Sequence, residues 1–187
     1  MGNEEQRFIK RLRDGDRIAA REFHSRYAEY LAGVCSRYIV DEEALKDVFQ
    51  DVLLQIFSHI GDFQYRGAGS LQAWATKVAV NESLKFLRTN SRHELVQLEC
   101  DVADESEEED PSLADIPPEA IQQMLSRLPT GYRTVLNLYV FEGKSHQEIA
   151  NLLGIGKDSS ASQLHRARNL LIKLMKEYKN IIPHDNE

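Results

Sequence analysis

The chain contains little cysteine and no long apolar run. Its two cysteines, Cys35 in a helical pattern and Cys100 in an acidic stretch, indicate neither a disulfide framework nor a metal cluster and are interpreted as reduced thiols. No run of about eighteen apolar residues exists, and the N-terminus lacks the apolar stretch of a secretion signal. We therefore expect a cytoplasmic protein that does not insert into a membrane.

Motifs of the common enzyme classes are also absent. The sequence contains no phosphate-binding loop, nucleophile elbow or two-histidine zinc motif. His146, Gln147 and Glu148 resemble one fragment of the zinc deaminase signature, but the paired cysteines that complete it are missing. The sequence therefore predicts neither an enzyme nor a bound metal or cofactor.

Negative charge is concentrated in one stretch of the chain. The net charge is −7, but residues 1–88 are neutral overall, residues 89–118 carry −9 and residues 119–187 carry +2. The middle stretch lacks periodicity and ends in Pro117 and Pro118, a composition typical of a flexible linker. The sequence thus predicts two small domains, 1–88 and 119–187, joined by a flexible acidic linker over 89–118.

Apolar residues recur at helical spacing in both predicted domains. The predicted helices lie within 5–33, where a turn at residues 14–16 separates two of them, and over 41–59, 70–88, 119–127 and about 130–141. The predicted fold class is all-α, with two small helical domains and a helix-turn-helix in the second.

Residues 128–171 have the pattern of that helix-turn-helix. Ser145 is a good N-cap for its first helix, Gly154 ends that helix, and Gly156 begins a second one. Similar helix pairs occur in helical domains that never bind nucleic acid. The second helix, however, carries polar groups that bond base edges and phosphates, and a basic segment follows it, which favours binding in the major groove of DNA.

Three further polar features have both a structural and a functional interpretation. The acidic face of the helix over 41–59 is either solvated or, because Leu54 lies among its acids, an interface. The loop over 61–70 carries aromatic residues and Arg66, which either stack on unpaired bases or plug the core, and the sequence alone favours the core. A polar row along the helix over 70–88 is spaced to track a phosphate backbone.

Two other classes of function use similar elements. A repressor or activator with the same helix-turn-helix would dimerise on a palindromic site, but the sequence shows no dimerisation seam. A purely protein-binding helical adaptor would leave the basic segment over 165–179 unexplained.

Three motifs, in this order, resemble those of the bacterial extracytoplasmic-function sigma factors, the smallest class of RNA polymerase sigma subunit. They are DEEALKDVFQDVLLQIF, FQYRGAGSLQAWATKVAVNESLKFLR and LPTGYRTVLNLYVFEGKSHQEIANLLGIGKDSSASQLHRAR. The resemblance covers roughly residues 15–88 and 119–175. It implies a helical protein in which a domain like sigma region 2 precedes a domain like sigma region 4.

The resemblance also implies a role for each polar surface. The helix over 41–57 would dock on the clamp helices of core RNA polymerase, the segment over 62–88 would read and melt the minus-ten promoter element, and the helix-turn-helix would bind the minus-thirty-five element. The implied contacts are Asp47, Gln50, Asp51 and Leu54 for polymerase; Phe63, Arg66, Trp74, Lys77, Asn81 and Lys85 for the minus-ten element; and Ser159, Ser162, Gln163 and Arg166 for the minus-thirty-five element. Besides core polymerase and promoter DNA, many members of the family have an anti-sigma factor as a partner.

The second helix of the helix-turn-helix departs from the family pattern at three positions. Ser160 stands where many members carry a small apolar residue, and Ala161 and Gln163 stand where basic residues are common. The promoter sequence that the chain reads therefore does not follow from the resemblance.

Overall fold

The computed structural model describes residues 2–90 and 116–181, without the side chains of residues 2, 3 and 181. Every regular element within these ranges is an α-helix, as the sequence predicts. The chain divides into two compact units, residues 1–89 and residues 90–187. Among the described helices, none is long and apolar enough to span a membrane.

The helices agree with the predicted ones to within a few residues. The first unit contains α1 (Gly2–Arg13), α2 (Arg17–Ser36), α3 (Glu42–His59) and α4 (Ser70–Asn90). The described part of the second unit contains α5 (Pro118–Arg127), α6 (Thr130–Val140), α7 (His146–Leu153) and α8 (Lys157–Ile181).

Aspartate side chains begin two helices of the first unit. Oδ1 of Asp16 accepts a hydrogen bond from the backbone N–H of Ile18 at 2.8 Å, and Oδ1 of Asp41 accepts one from Ala44 at 2.8 Å. Gly15, in the turn between α1 and α2, has a φ of 74°, a conformation that side chains with a Cβ rarely adopt. The predicted turn and both predicted helix starts are confirmed.

The core of the first unit is formed by one face of each of its helices. In α3 the predicted apolar residues Val48, Val52 and Ile56 are buried. In α2 the apolar Ile18 is not part of this core, since it is 67% exposed. Its neighbour Ala19 is buried instead, because Ala19 lies four residues before the buried Phe23 and so shares its face.

Cys35 lies in this core as a free thiol. Burial raises its pKa above the ordinary value, so the thiol stays protonated and unreactive at neutral pH. Cys100, the other cysteine, lies outside the described residues.

The second unit is built around α6. The run from residue 131 to residue 138 is buried all the way round the helix, which is the pattern of a central core helix. Nη1 of Arg133 donates to the carbonyls of Leu128 at 2.7 Å and Ser126 at 3.3 Å, where α5 ends. A guanidinium at this position stabilises the C-terminal end of α5.

Most of the predicted linker, 91–115, lies outside the described residues. Its predicted ends are structured: residues 89 and 90 complete α4, and Pro118 begins α5. Ile116 is 6% exposed and packs in a core cluster with Met124 and Met175. The ends of the predicted linker therefore belong to helices and core.

Candidate nucleic-acid interface

The loop between α3 and α4 is packed around one aromatic pair. Phe63 is 6% exposed, and its ring centroid lies 5.2 Å from that of Trp74, with the rings tilted by 42°. Phe63 was expected to contact the minus-ten element, but a side chain buried in this way cannot stack on a base. The structure corrects that assignment, because Phe63 plugs the core as the alternative interpretation held.

Two adjoining clefts open on either side of Trp74. The first, with a volume of about 450 Å³, is lined by Phe63, Arg66, Trp74 and Lys77 among others. The second, of about 340 Å³, is lined by Trp74 and Asn81 together with residues of α3. The structure thus brings four of the predicted minus-ten residues, Arg66, Trp74, Lys77 and Asn81, to one continuous concave surface.

The outer part of the loop is folded onto the start of α4. The backbone N–H of Arg66 donates to Oγ of Ser70 at 3.2 Å, and the N–H of Ser70 donates to the carbonyl of Gly67 at 3.1 Å. Gly67 and Gly69 have φ values of 123° and 80°, so side chains with a Cβ would be strained at both positions. This turn leaves the Arg66 side chain exposed at the mouth of the first cleft.

A polar row follows the exposed face of α4. Lys77, Asn81, Lys85 and Arg88 are all exposed, as their spacing predicts. Nζ of Lys85 lies 2.9 Å from Oε2 of Glu82, and this hydrogen bond raises the pKa of Lys85. Lys85 therefore already has a carboxylate partner, whereas Lys77 and Asn81 line the clefts.

Burial divides the residues of α8 into two faces. Ser160, Leu164 and Ala167 face the core, as predicted. Gln163 was expected to enter the DNA groove, but it is only 5% exposed. The reason is its spacing: Gln163 follows Ser160 by three residues and precedes Ala167 by four, which puts it on the buried face. The predicted groove contact of Gln163 is therefore corrected.

The opposite face of α8 carries a short polar stripe. Ser159 and Ser162 are exposed and Arg166 is half-buried, so these predicted contacts remain accessible. His165 is also exposed, and its Nε2 lies 3.2 Å from Nδ2 of Asn169. The sequence-based assignment missed His165, although its position three residues after Ser162 places it on the same face.

Contacts between α7 and its neighbours fix the position of α8. Nδ1 of His146 lies 3.0 Å from Oγ of Ser160, and the His146 ring stacks on Tyr139 with centroids 4.9 Å apart. The unusual Ser160 thus has a specific partner in α7. The histidine of the apparent deaminase fragment has a structural contact, and the described residues contain no cluster of His, Cys, Asp and Glu that could hold a metal ion.

The first helix of this pair is held by a capping box. Oγ of Ser145 accepts from the backbone N–H of Glu148 at 3.3 Å, and Oε2 of Glu148 accepts from the N–H of Ser145 at 2.9 Å. The hydrogen bonds that the Glu148 carboxylate accepts from Ser145 lower its pKa, the backbone N–H of Ser145 being the largest cause. At the other end of α7, Gly154 has a φ of 69°, the left-handed C-cap that the sequence predicts.

A third surface, which we call the α3 face, consists of Asp47, Gln50, Asp51 and Leu54. All four side chains are exposed, and their spacing of three, four and seven residues places them on one side of α3. Leu54 is 65% exposed and adds a large apolar side chain to this acidic surface. Phe57, one turn further along, is 36% exposed and extends the apolar part of this surface.

Comparisons with known proteins agree on one family. Residues 23–93 match the model of sigma-70 region 2, and residues 118–171 match that of sigma-70 region 4. The extracytoplasmic-function RNA polymerase sigma factor SigM of Mycobacterium tuberculosis is 30% identical over 166 residues, which cover 86% of this chain and 79% of that protein. The RNA polymerase sigma-H factor of Pseudomonas aeruginosa is 27% identical over 186 residues, covering 92% of this chain and 94% of that protein.

A solved structure of CnrH in complex with the cytosolic domain of CnrY is also similar. It covers 91% of this chain and 96% of that chain, with 22% identity and a TM-score of 0.47. Because the TM-score is this low, the similarity carries no argument about function.

Proposed function

The chain belongs to the extracytoplasmic-function family of RNA polymerase sigma factors, and from this premise we propose which of its surfaces meets each partner. As a sigma factor it binds core RNA polymerase and directs transcription initiation at specific promoters. Polymerase supplies the chemistry, so in this proposal the chain is not itself an enzyme and acts in the cytoplasm. An anti-sigma factor is expected from the family alone.

The α3 face is the proposed contact with core polymerase. Its exposed Leu54 follows Gln50 and Asp51 by one turn on the same side of the helix, and a protein interface usually combines apolar and polar side chains in this way. The carboxylates fit a basic partner surface and would speed its approach. The single observation that best supports this role is that Leu54, 65% exposed, lies on the same side of α3 as the exposed Asp47, Gln50 and Asp51.

The clefts beside Trp74 are the proposed minus-ten site. A base that leaves the duplex must be received by a concave site with an aromatic or apolar wall, and Trp74 provides such a wall. Arg66 and Lys77 at the first cleft can hold phosphates, and Asn81 at the second can bond a base edge. Lys85 is a weaker phosphate contact because Glu82 already pairs with it.

The exposed stripe of α8 is the proposed minus-thirty-five site. Ser159, Ser162 and Arg166 keep the roles that the family implies, and we add His165, which lies on the same exposed face. A helix that presents side chains in this way fits the major groove, where each base pair has its own pattern of donors and acceptors. Gln163 is left out because it is buried.

Reconstitution with bacterial core polymerase tests the proposal. The pure chain should bind core and direct transcription from members of a promoter library. Replacing Asp47 and Asp51 together with alanine should weaken core binding by about 2 kcal/mol or more, as expected at the centre of an interface. The binding is measured by fluorescence anisotropy of the labelled chain titrated with core.

The matched control is Asp14→Ala with Glu29→Ala. This pair removes the same charge from exposed positions of the first unit that lie outside α3. Core affinity should be nearly unchanged in the control. Equal losses in the two double variants would show that only net charge matters and would refute the assignment of the α3 face.

A further inference from the structure

The last residue of α1 holds the loop that shapes the first cleft. Nε of Arg13 donates to the carbonyl oxygen of Ile60 at 3.2 Å, and its Nη2 donates to the carbonyl of Phe63. One guanidinium thus binds two backbone groups where the loop leaves α3. Arg13 is remote in sequence from both residues, so no local turn can provide these bonds.

Helix α1 is itself firmly anchored, so Arg13 is presented from a fixed position. Ile9 and Leu12 are buried in the core of the first unit. Next to Arg13, the Arg11 guanidinium bonds Asp16 at 2.7 Å and Glu22 at 3.2 Å, both across the turn into α2.

The other end of α1 also acts on this loop. Desolvation, and after it the nearby Glu5 charge, raise the pKa of Tyr65 above its ordinary value, so the phenol remains a donor at neutral pH. Both ends of α1 therefore influence the loop, Glu5 from the first turn and Arg13 from the last.

We infer that Arg13 is a positioning residue for minus-ten recognition: it clamps the carbonyls of Ile60 and Phe63 and so fixes the wall of the first cleft. Phe63 is the residue that packs on Trp74, and Arg66 follows it in the same loop. A shift of the backbone that Arg13 holds would therefore displace both Phe63, which lines the cleft, and Arg66, which is exposed at its mouth. The inference rests on the proposed role of this cleft in reading the minus-ten element.

A simpler role for Arg13 is also testable. Arg13 is an exposed cation, and such a residue can contact a DNA phosphate directly. A phosphate contact weakens binding equally for all promoter sequences and reduces the dependence of binding on salt, whereas a positioning residue changes the preference between bases. The two roles therefore predict different results from the same variant.

The first experiment uses the only tryptophan of the chain, Trp74, as a probe of the free protein. Arg13→Ala should raise the acrylamide quenching constant of Trp74, because Phe63 no longer covers it firmly. Arg13→Lys keeps a donor for one carbonyl, so its quenching constant should lie between those of Arg13→Ala and the wild type. The control Lys10→Ala removes the same charge from an exposed site on the same helix and should match the wild type. Unchanged quenching in Arg13→Ala would overturn the inference whatever the cleft binds.

The second experiment measures base preference with the reconstituted holoenzyme. Run-off transcription is compared across a promoter set in which each minus-ten base is varied singly. Arg13→Ala should reduce the ratio between the best and the worst base by about five- to tenfold at one position or more, the size of one lost base contact. Core affinity should stay unchanged, Arg13→Lys should restore part of the preference, and Lys10→Ala should keep all of it.

The outcomes separate this inference from the proposed function. If Arg66→Ala lowers base preference and Arg13→Ala does not, the cleft reads DNA but Arg13 does not position it. A uniform loss over all promoters with a smaller salt dependence would make Arg13 a phosphate contact and would also overturn the inference. If Arg66→Ala, Lys77→Ala and Asn81→Ala all leave base preference intact, the proposed minus-ten site itself is wrong.

Discussion

The two proposed DNA-binding surfaces of this sigma factor are built in opposite ways. The surface in the first unit is concave, formed by a loop and α4 around the Phe63–Trp74 pair. The surface in the second unit is the convex exposed side of α8, a regular helix. A cleft can enclose a base that has left the stack, whereas a protruding helix can enter the groove of an intact duplex. The shapes therefore assign melting and duplex reading to different units.

The two surfaces are also held in place differently. The loop of the first unit depends on long-range bonds from side chains such as Arg13. The position of α8 depends on local backbone signals in α7, the Ser145 capping box and the left-handed Gly154, together with the contact of His146 with Ser160. The bonds of Arg13 form only when α1 packs against the loop. The caps of α7, in contrast, are bonds between residues that are close together in the sequence.

The variant with the largest expected effect tests whether the two units unfold independently of each other. Leu138→Ala removes a fully buried side chain from the central helix of the second unit and should destabilise that unit by about 2–5 kcal/mol. Calorimetry should show that the unfolding transition of the second unit moves to a lower temperature. The transition followed by Trp74 emission, which reports only the first unit, should stay in place. If the Trp74 transition shifts equally, the units unfold together and the comparison between them fails.

A smaller effect sharpens the assignment of the two faces of α8. His165→Ala and Arg166→Ala should each weaken minus-thirty-five recognition by about 1–3 kcal/mol while leaving core binding intact. Gln163→Met, which keeps the length of a buried side chain, should leave the promoter preference unchanged. The measurement is holoenzyme binding to promoter fragments varied in that element. A changed promoter preference in Gln163→Met would show that Gln163 contributes to minus-thirty-five recognition after all.

The smallest effect concerns the capping box under α8. Ser145→Ala should cost about 1 kcal/mol of stability at neutral pH, because it removes the acceptor for the Glu148 N–H and a hydrogen-bond partner of the Glu148 carboxylate. Glu148→Ala tests the carboxylate itself. Its folded pKa lies below the ordinary 4.5, so its contribution is complete above that value and is lost as the pH falls through the lower folded pKa. Thermal unfolding should show a smaller Glu148→Ala gap at about pH 3.5 than at pH 7; a gap of the same size at both would contradict the role of the carboxylate.

Local signals in the sequence predicted most of the fold. Asp16, Asp41, Ser145 and Gly154 act at the helix ends where the sequence placed them, because caps depend on bonds between near neighbours. The exposed α3 face followed from helical spacing in the same way. The predicted linker was too long at both ends, because α4 continues through residues 89 and 90 and Ile116 is buried by residues that are distant in the sequence.

The candidate site was predicted less completely, for two different reasons. Gln163 was assigned to the groove and His165 was not, although the three- and four-residue intervals to Ser160 and Ala167 place Gln163 inside, and His165 lies on the exposed face three residues after Ser162. Arg13 could not have been found from the sequence. Its partners Ile60 and Phe63 are brought to it only by the packing of α1 against the rest of the unit.

The central claim is that the first unit reads unpaired bases and the second reads duplex DNA. Its most direct test is holoenzyme binding to two probes, a single-stranded minus-ten oligonucleotide and a duplex that carries only the minus-thirty-five element. Arg66→Ala with Lys77→Ala should weaken binding to the single strand and leave the duplex unaffected, whereas His165→Ala with Arg166→Ala should do the reverse. If either pair weakens both probes equally, or if the pattern is exchanged, the division of labour between the two units is contradicted.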